Sequence, residues 1–189
     1  MEAMRMLRLW KILAGVIAAV IMLAGCCSAA EVSADLLLLM PGKMLKGKIY
    51  IKGKKIRAEF NGPKGGMIVL GENNSKTRIF IDRGRKIYHE VTNKRPDDVD
   101  DSYLITVADK KVVGENTING YKCTKIRYTF RDNPKNTDIR WVSDKFKVPV
   151  RMEQTRNGVT EITEYKNVKE CKLPDSLFQI PKGYKKAKK

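Results

Sequence analysis

Between residues 46 and 60 the chain switches between apolar and charged side chains at every step. In "KGKIYIK" and "KIRAEF", Ile49, Ile51, Ile56, Ala58 and Phe60 are separated by single, mostly charged residues or by a turn. A period of two marks a strand with one dry and one wet face. It excludes an amphipathic helix, whose apolar positions recur every three or four residues. The pattern begins in "VSADLLLLM" (32–40) and returns in "MIVL" (67–70), "TRIFI" (77–81), "KIYHEV" (86–91), "DIRWVS" (138–143), "PVRMEQT" (149–155) and "VTEITEYKNV" (159–168). Pro41-Gly42, Gly53-Lys54, Asn119-Gly120 and Asn157-Gly158 supply the turns. Asn-Gly suits a type I′ hairpin because both residues tolerate positive φ. Two segments read as helical: "PDDVDDSYLITVADK" (96–110), acidic at its start, and "PDSLF" (174–178). Within the first, "YLITV" reads equally well as strand. The expectation is one antiparallel β domain of about nine strands. Such a meander manages its edges by closing into a barrel, folding into a sandwich or curling around a plug, and periodicity alone does not choose.

The N-terminus sets the compartment. Arg5, Arg8 and Lys11 precede an uncharged run from Ile12 to Gly25. As a helix at about 1.5 Å per residue those residues reach ~21 Å, short of the ~30 Å hydrocarbon core. A basic start, a short apolar stretch and small closing residues are the layout of a secretory signal. Its end, "LAGC", resembles the lipobox of bacterial lipoproteins: an aliphatic residue, two small ones, then the cysteine that takes a diacylglycerol on its thiolate and becomes the first mature residue. The plain alternative is an ordinary signal with an incidental cysteine. The lipobox reading divides the chain into a signal peptide (1–25), a short anchor segment (26–31) that begins at Cys26, a β domain (32–184) and a lysine-rich tail (185–189). Two or more acyl chains hold a protein durably at a bilayer. Cys27, not aspartate, follows Cys26, which favours the outer membrane in some enteric bacteria. The expected location is therefore the cell envelope, lipid-anchored and facing the periplasm, at the outer rather than the inner membrane.

Export changes how the rest is read. Cys123 and Cys171 are the only cysteines beyond the anchor region. In an oxidising compartment they are a candidate disulfide worth ~4 kcal/mol in the chain-entropy picture, or else two unlinked thiols. The leader carries three basic and one acidic residue, so the full-chain net charge of +17 becomes +15 without it. An exported chain rarely meets nucleic acid, and no aromatic-interleaved basic motif occurs, so the expected surface partner is an anionic membrane or glycan and not a nucleic acid. The tail "PKGYKKAKK" holds five lysines in nine residues. It reads as a solvated end or as a tether to phosphates.

The stretches "SADLLLLM", "GKIYIKGKKIR", "GENTINGYKCTKIRYT…RWVSDKFKVPVRME" and "LPDSLFQIPKGYKK" resemble, in their order and spacing, small bacterial lipoproteins of LolA-like type, often described as outer-membrane lipoprotein-sorting proteins. The likeness points to a subgroup without an assigned function and spans most of the mature chain. It implies a mainly β fold: one curved antiparallel sheet forming an incomplete barrel, with one or two short helices and an apolar hollow that holds acyl chains. Two departures stand out. The chain keeps its own anchor, which suits a receptor better than a free shuttle, and it is shorter than the carriers.

The chemistry of the chain favours binding. Its single histidine, His89, sits in an ordinary strand pattern, and neither a nucleophile elbow nor a glycine-rich phosphate loop occurs. "DDVDD" (97–101) lacks EF-hand spacing, and no cysteine pair has metal-ligand spacing, so neither metal nor cofactor is expected and no enzyme activity. Leu36, Leu38, Ile49, Ile51, Ile56 and Phe60 share one face of consecutive strands. They form either a filled core or, as the resemblance implies, the lining of a lipid cavity. Two functions follow: an anchored protein binding acyl chains of lipids or lipoproteins, in sorting or lipid transfer, or a structural adaptor whose basic surface docks glycans or a partner protein.

Overall fold

A computed structural model describes residues 31–62, 65–93 and 101–187. The signal segment, Cys26, Cys27 and most of the aspartate cluster lie outside these residues. Twelve strands form one open sheet. The first meander is β1 (Glu31–Met40), β2 (Lys43–Lys52), β3 (Lys55–Phe60), β4 (Met67–Glu72), β5 (Thr77–Asp82) and β6 (Ile87–Thr92). The second is β7 (Ala108–Ile118), β8 (Tyr121–Phe130), β9 (Thr137–Ser143), β10 (Pro149–Arg156) and β11 (Val159–Glu170). Antiparallel pairing of β1 with β11 fuses the two, giving the order β12-β6-β5-β4-β3-β2-β1-β11-β10-β9-β8-β7.

This is the incomplete, curved barrel that the resemblance implies, with three strands more than the alternation reveals. One pair departs from the antiparallel rule: the edge strand β12 (Lys185–Lys186) runs parallel to β6. The turns follow the sequence. Asn119-Gly120 and Asn157-Gly158 take φ of 51° and 82° and of 51° and 79°, the left-handed pair a type I′ hairpin needs. Of the helix proposed over 96–110, the described residues 101–110 form one turn, α1 (Leu104–Val107), and Ala108 already belongs to β7. "PDSLF" forms a 3₁₀ turn at Asp175–Phe178.

Bulges supply the curl. β1 and β11 lose register between Ser33 and Asp35, where Asn167 takes φ 52° and its amide donates to the Asp35 carboxylate at 2.7 Å. Further shifts fall between Val112 and Gly114 and between Pro149 and Arg151. Each extra residue bends its strand and sharpens the twist, so the sheet wraps toward itself without closing. At one end the wrap is packed solid: Val32 faces Ile51 across β1–β2, and both join a buried cluster with Phe146, Val148 and Val168. Tyr121 meets Phe146 edge to face at 5.3 Å and accepts a hydrogen bond from the Val168 amide through its hydroxyl.

The segment after β11 crosses the convex side as a strap. Lys52 donates to the Leu173 carbonyl and Arg57 to that of Leu177, both at 2.7 Å, and Lys55 pairs with Asp175. Farther along, Ile180 and Tyr184 pack on Ile68, Leu70 and Ile81, which explains why β4 and β5 are apolar on both faces. Cys123 and Cys171 are both free. Cys123 lies on β8 and Cys171 follows β11, and no bond joins them in this structure. Each thiol has another neighbour, the Tyr121 carbonyl at 3.2 Å and the Ser33 hydroxyl at 3.4 Å.

Candidate functional site: a hollow with two unlike walls

The concave side of the sheet surrounds a hollow of about 610 Å³. One wall is made by β1 to β5, where alternation turns Leu36, Leu38, Leu45, Ile49, Phe60 and Phe80 inward. Cross-strand registers stack them in rows: Ile49 opposite Ala58 opposite Val69 opposite Phe80, and Ile56 opposite Gly71. Ala58 falls inside its row and Gly71 ends its own, and these two small residues border the space that the larger ones leave. Five of the six apolar residues singled out in the sequence, Leu36, Leu38, Ile49, Ile56 and Phe60, border this space. Ile51 does not; it is 2 % exposed inside the packed end.

The other wall is polar. From β9 and β10, Asp138, Arg140, Gln154 and Arg156 face the hollow beside Pro149 and Met152, and Thr163 and Tyr165 of β11 join them. Asp138 stands opposite Gln154 and Arg140 opposite Met152 in the ladder. The Asp138 side chain is 0 % exposed, and both its oxygens are used: one accepts from Arg140 Nε at 3.1 Å, the other from Gln154 Nε2 at 2.8 Å. Arg140 lies against the Tyr128 ring at 5.6 Å. Arg156 stacks on Phe130 at 4.0 Å and donates to the carbonyls of Thr137 and Thr155. Arg78 comes from β5.

Described residues on either side of 94–100 add to the rim. The chain passes from β6, next to one edge of the sheet, to β7 at the other. Asn93, Tyr103 and Leu104 border the hollow on this passage. Leu104 and Ala108 bury against Tyr128 and Phe130, while Arg131 donates to the carbonyls of Thr106 and Ala108 and so ties off α1. The Tyr128 hydroxyl donates to Asp101, which also pairs with Lys110 at 2.7 Å. Burial first, and then that hydrogen bond, push the Tyr128 phenol far above its usual range, so it stays a neutral donor.

The sequence pattern hid the polar wall. In "DIRWVS" the apolar residues Ile139 and Trp141 suggest the core face, yet Asp138 and Arg140 turn inward. Trp141 on the opposite face is flanked by Lys125 at 4.8 Å and Arg151 at 5.4 Å from its ring. The signal available was the matching pair D-x-R and Q-x-R on neighbouring strands. His89 is exposed on β6. Burial raises the Cys123 thiol, which weakens it as a nucleophile. Among the described residues no group of three or more His, Cys, Asp and Glu side chains is placed to hold a metal ion, and no helix is long and apolar enough to cross a membrane.

Residues 33–147, more than half of the chain, match the profile of a family described as a domain of unknown function, DUF4412. The chain belongs to that family. No curated protein matches it by sequence. Among solved structures, an uncharacterized conserved protein from Thermus thermophilus shares the fold at TM-score 0.60 and 12 % identity, over 84 % of this chain and 90 % of that one. MucB superposes at TM-score 0.56 and 12 % identity, over 82 % of this chain but only 58 % of MucB. A LolA superfamily protein from Nitrosomonas europaea matches more loosely, at TM-score 0.41 and 11 % identity, over 81 % and 91 %. The open, curved sheet is the fold shared with the Thermus thermophilus protein and with MucB.

Proposed function

We propose that the chain is a lipid-anchored protein of the bacterial envelope whose hollow holds the acyl chains of lipids or lipoproteins without transforming them. The observation that carries this reading is the hollow itself: about 610 Å³, within the ~300–1,000 Å³ usual for small-molecule sites, on the concave side of a sheet whose β1–β5 wall is apolar. Each methylene that leaves water for such a wall gains ~0.8 kcal/mol. Leu36, Leu38, Ile49, Ile56 and Phe60 are the residues we assign to the chain-binding wall, and Cys26 to the anchor. Lys46 and Lys48, exposed on the convex side of β2, suit an anionic membrane or glycan surface. The receptor or transfer end of a lipoprotein-sorting process fits an anchored holder of acyl chains. The fold likeness supports the binding class but assigns no cargo.

An apolar fluorescent probe tests the reading. Emission should rise on mixing with the purified protein and fall as dodecanol or dodecanoate displaces the probe. A protein that leaves the probe dark and takes up neither amphiphile has a filled interior and is better read as an adaptor. The anchor is tested separately: cells grown with labelled palmitate should label the protein, and Cys26→Ser should abolish the label. Label retained on Cys26→Ser would remove Cys26 from this account.

A further inference from the structure

The place where the anchor joins the fold decides which part of the molecule lies nearest the membrane. Four uncharged residues separate Cys26 from Glu31, the first residue of β1. Fully extended, the steps from Cys26 to Glu31 reach at most about 18 Å. Glu31 belongs to the packed end: it faces Lys52 across β1–β2, and its carbonyl accepts from the Cys171 amide. The hollow comes later along the same strand. Val32 sits in the packed cluster, whereas Leu38, about 20 Å farther on, borders the hollow. An anchored molecule therefore keeps its solid end beside the bilayer.

That end also carries a group of exposed lysines. Lys145 and Lys147 flank the buried Phe146 in the β9–β10 connection, and Lys169 and Lys172 stand where β11 ends. The two pairs adjoin. The Phe146 ring meets Tyr121 at 5.3 Å, and the Tyr121 hydroxyl accepts from the amide of Val168, next to Lys169. None of the four lysines forms an ion pair among the described residues. Lys145 Nζ instead lies over the Phe146 ring at 4.9 Å. Of the acids nearby, Glu31 is paired with Lys52, Asp144 accepts from the Thr124 hydroxyl, and Glu170 is exposed.

Resting on the lipid-anchor reading, we infer that the packed end is a docking face for the anionic phospholipid surface that holds the anchor. The hollow is then held beyond it, away from that bilayer. Each lysine within a Debye length of such a surface is drawn to it. The short tether keeps all four there at high effective concentration, so weak individual attractions suffice. The convex lysines Lys46 and Lys48 are left to meet glycan or solvent. A guest reaches the hollow from the aqueous side and not directly from the leaflet beneath.

Lysine acetylation read by mass spectrometry tests this on the purified protein, anchor intact, in vesicles. Phosphatidylcholine vesicles are compared with vesicles that also carry phosphatidylglycerol. On the anionic vesicles Lys145, Lys147, Lys169 and Lys172 should react about fivefold more slowly, and salt at about 0.5 M should restore their rates. Lys46 and Lys48, and Lys43 and Lys135 at the opposite end, should keep one rate on both. Protection of Lys46 and Lys48 instead would lay the convex side on the membrane and refute the packed-end face. Equal rates at every lysine would mean a domain that swings freely on its tether, and would refute it too. If the protein floats with neither vesicle, the lipid anchor is refuted and this orientation falls with it, while probe displacement still decides the acyl-binding reading.

Discussion

The β1–β5 wall and the β9–β10 wall face the same hollow but are built on opposite rules. On the first, inward positions are aliphatic or aromatic apart from Arg78, while outward ones carry lysine, arginine and glutamate on β2 and β3 and apolar residues under the strap on β4 and β5, so burial sets the register. On the second, Asp138, Arg140, Gln154 and Arg156 point inward and are held by each other, by aromatic faces and by backbone carbonyls. The first wall loses little if one side chain shrinks, because it already borders empty space. The second depends on pairing between polar side chains.

That contrast can be broken most sharply at Asp138. Asp138→Ala takes a fully buried carboxylate from Arg140 and Gln154 at once and should cost about 3–5 kcal/mol, read as a lower urea midpoint. A cost under about 1 kcal/mol would mean that water compensates the arginine and the polar wall is wetter than drawn. Next comes Ile51→Ala in the packed end, where the residue is 2 % exposed; a loss of about 3 kcal/mol is expected, as for other buried large-to-small changes. Ile56→Ala on the hollow wall should cost only about 1 kcal/mol, since fewer atoms touch it. Equal losses at the two isoleucines would argue that the hollow is filled in solution.

The smallest effects concern the strap. The hydrogen bond from Lys55, followed by the field of Lys52, holds the Asp175 carboxyl below its ordinary 3.8. The contact therefore supports the fold above that value and is lost as pH falls through the lowered one. Amide exchange around Leu177, normalised for intrinsic rate, should speed up only below about pH 4. At the other extreme, Glu90 raises Lys186 above its ordinary 10.5, mainly through their hydrogen bond. Its support is present below that value and fades as pH climbs past the raised one, so the β12–β6 pair should loosen only in strong alkali. Loosening of either contact near neutrality would contradict the pairing.

The two walls also differ in how far the sequence displays them. Ile49, Ile51, Ile56, Ala58 and Phe60 announce a dry face because nothing but burial explains their spacing. That Ile51 fills the closed end while Ile56 borders the hollow is not local information: it depends on Phe146 and Val148 arriving from the turn between β9 and β10. Asp138 and Arg140 mislead for the opposite reason. Their inward orientation is sustained by Gln154, Tyr128 and each other, contacts made across strands and invisible to a period count. β7 shows only as the arm that enters the Asn119-Gly120 turn, because it is an edge strand, exposed at nine consecutive positions from Asp109 to Thr117, with no buried face to create an alternation. β12 escapes because two lysines gain strand character only by lying against β6.

The most direct measurement is a crystal structure of the protein with a brominated fatty acid, located by anomalous scattering. The account places the bromine inside the curved sheet, in van der Waals contact with Phe60 or Phe80. Bromine found only on the outer surface, or side chains closing the hollow around nothing, would contradict it.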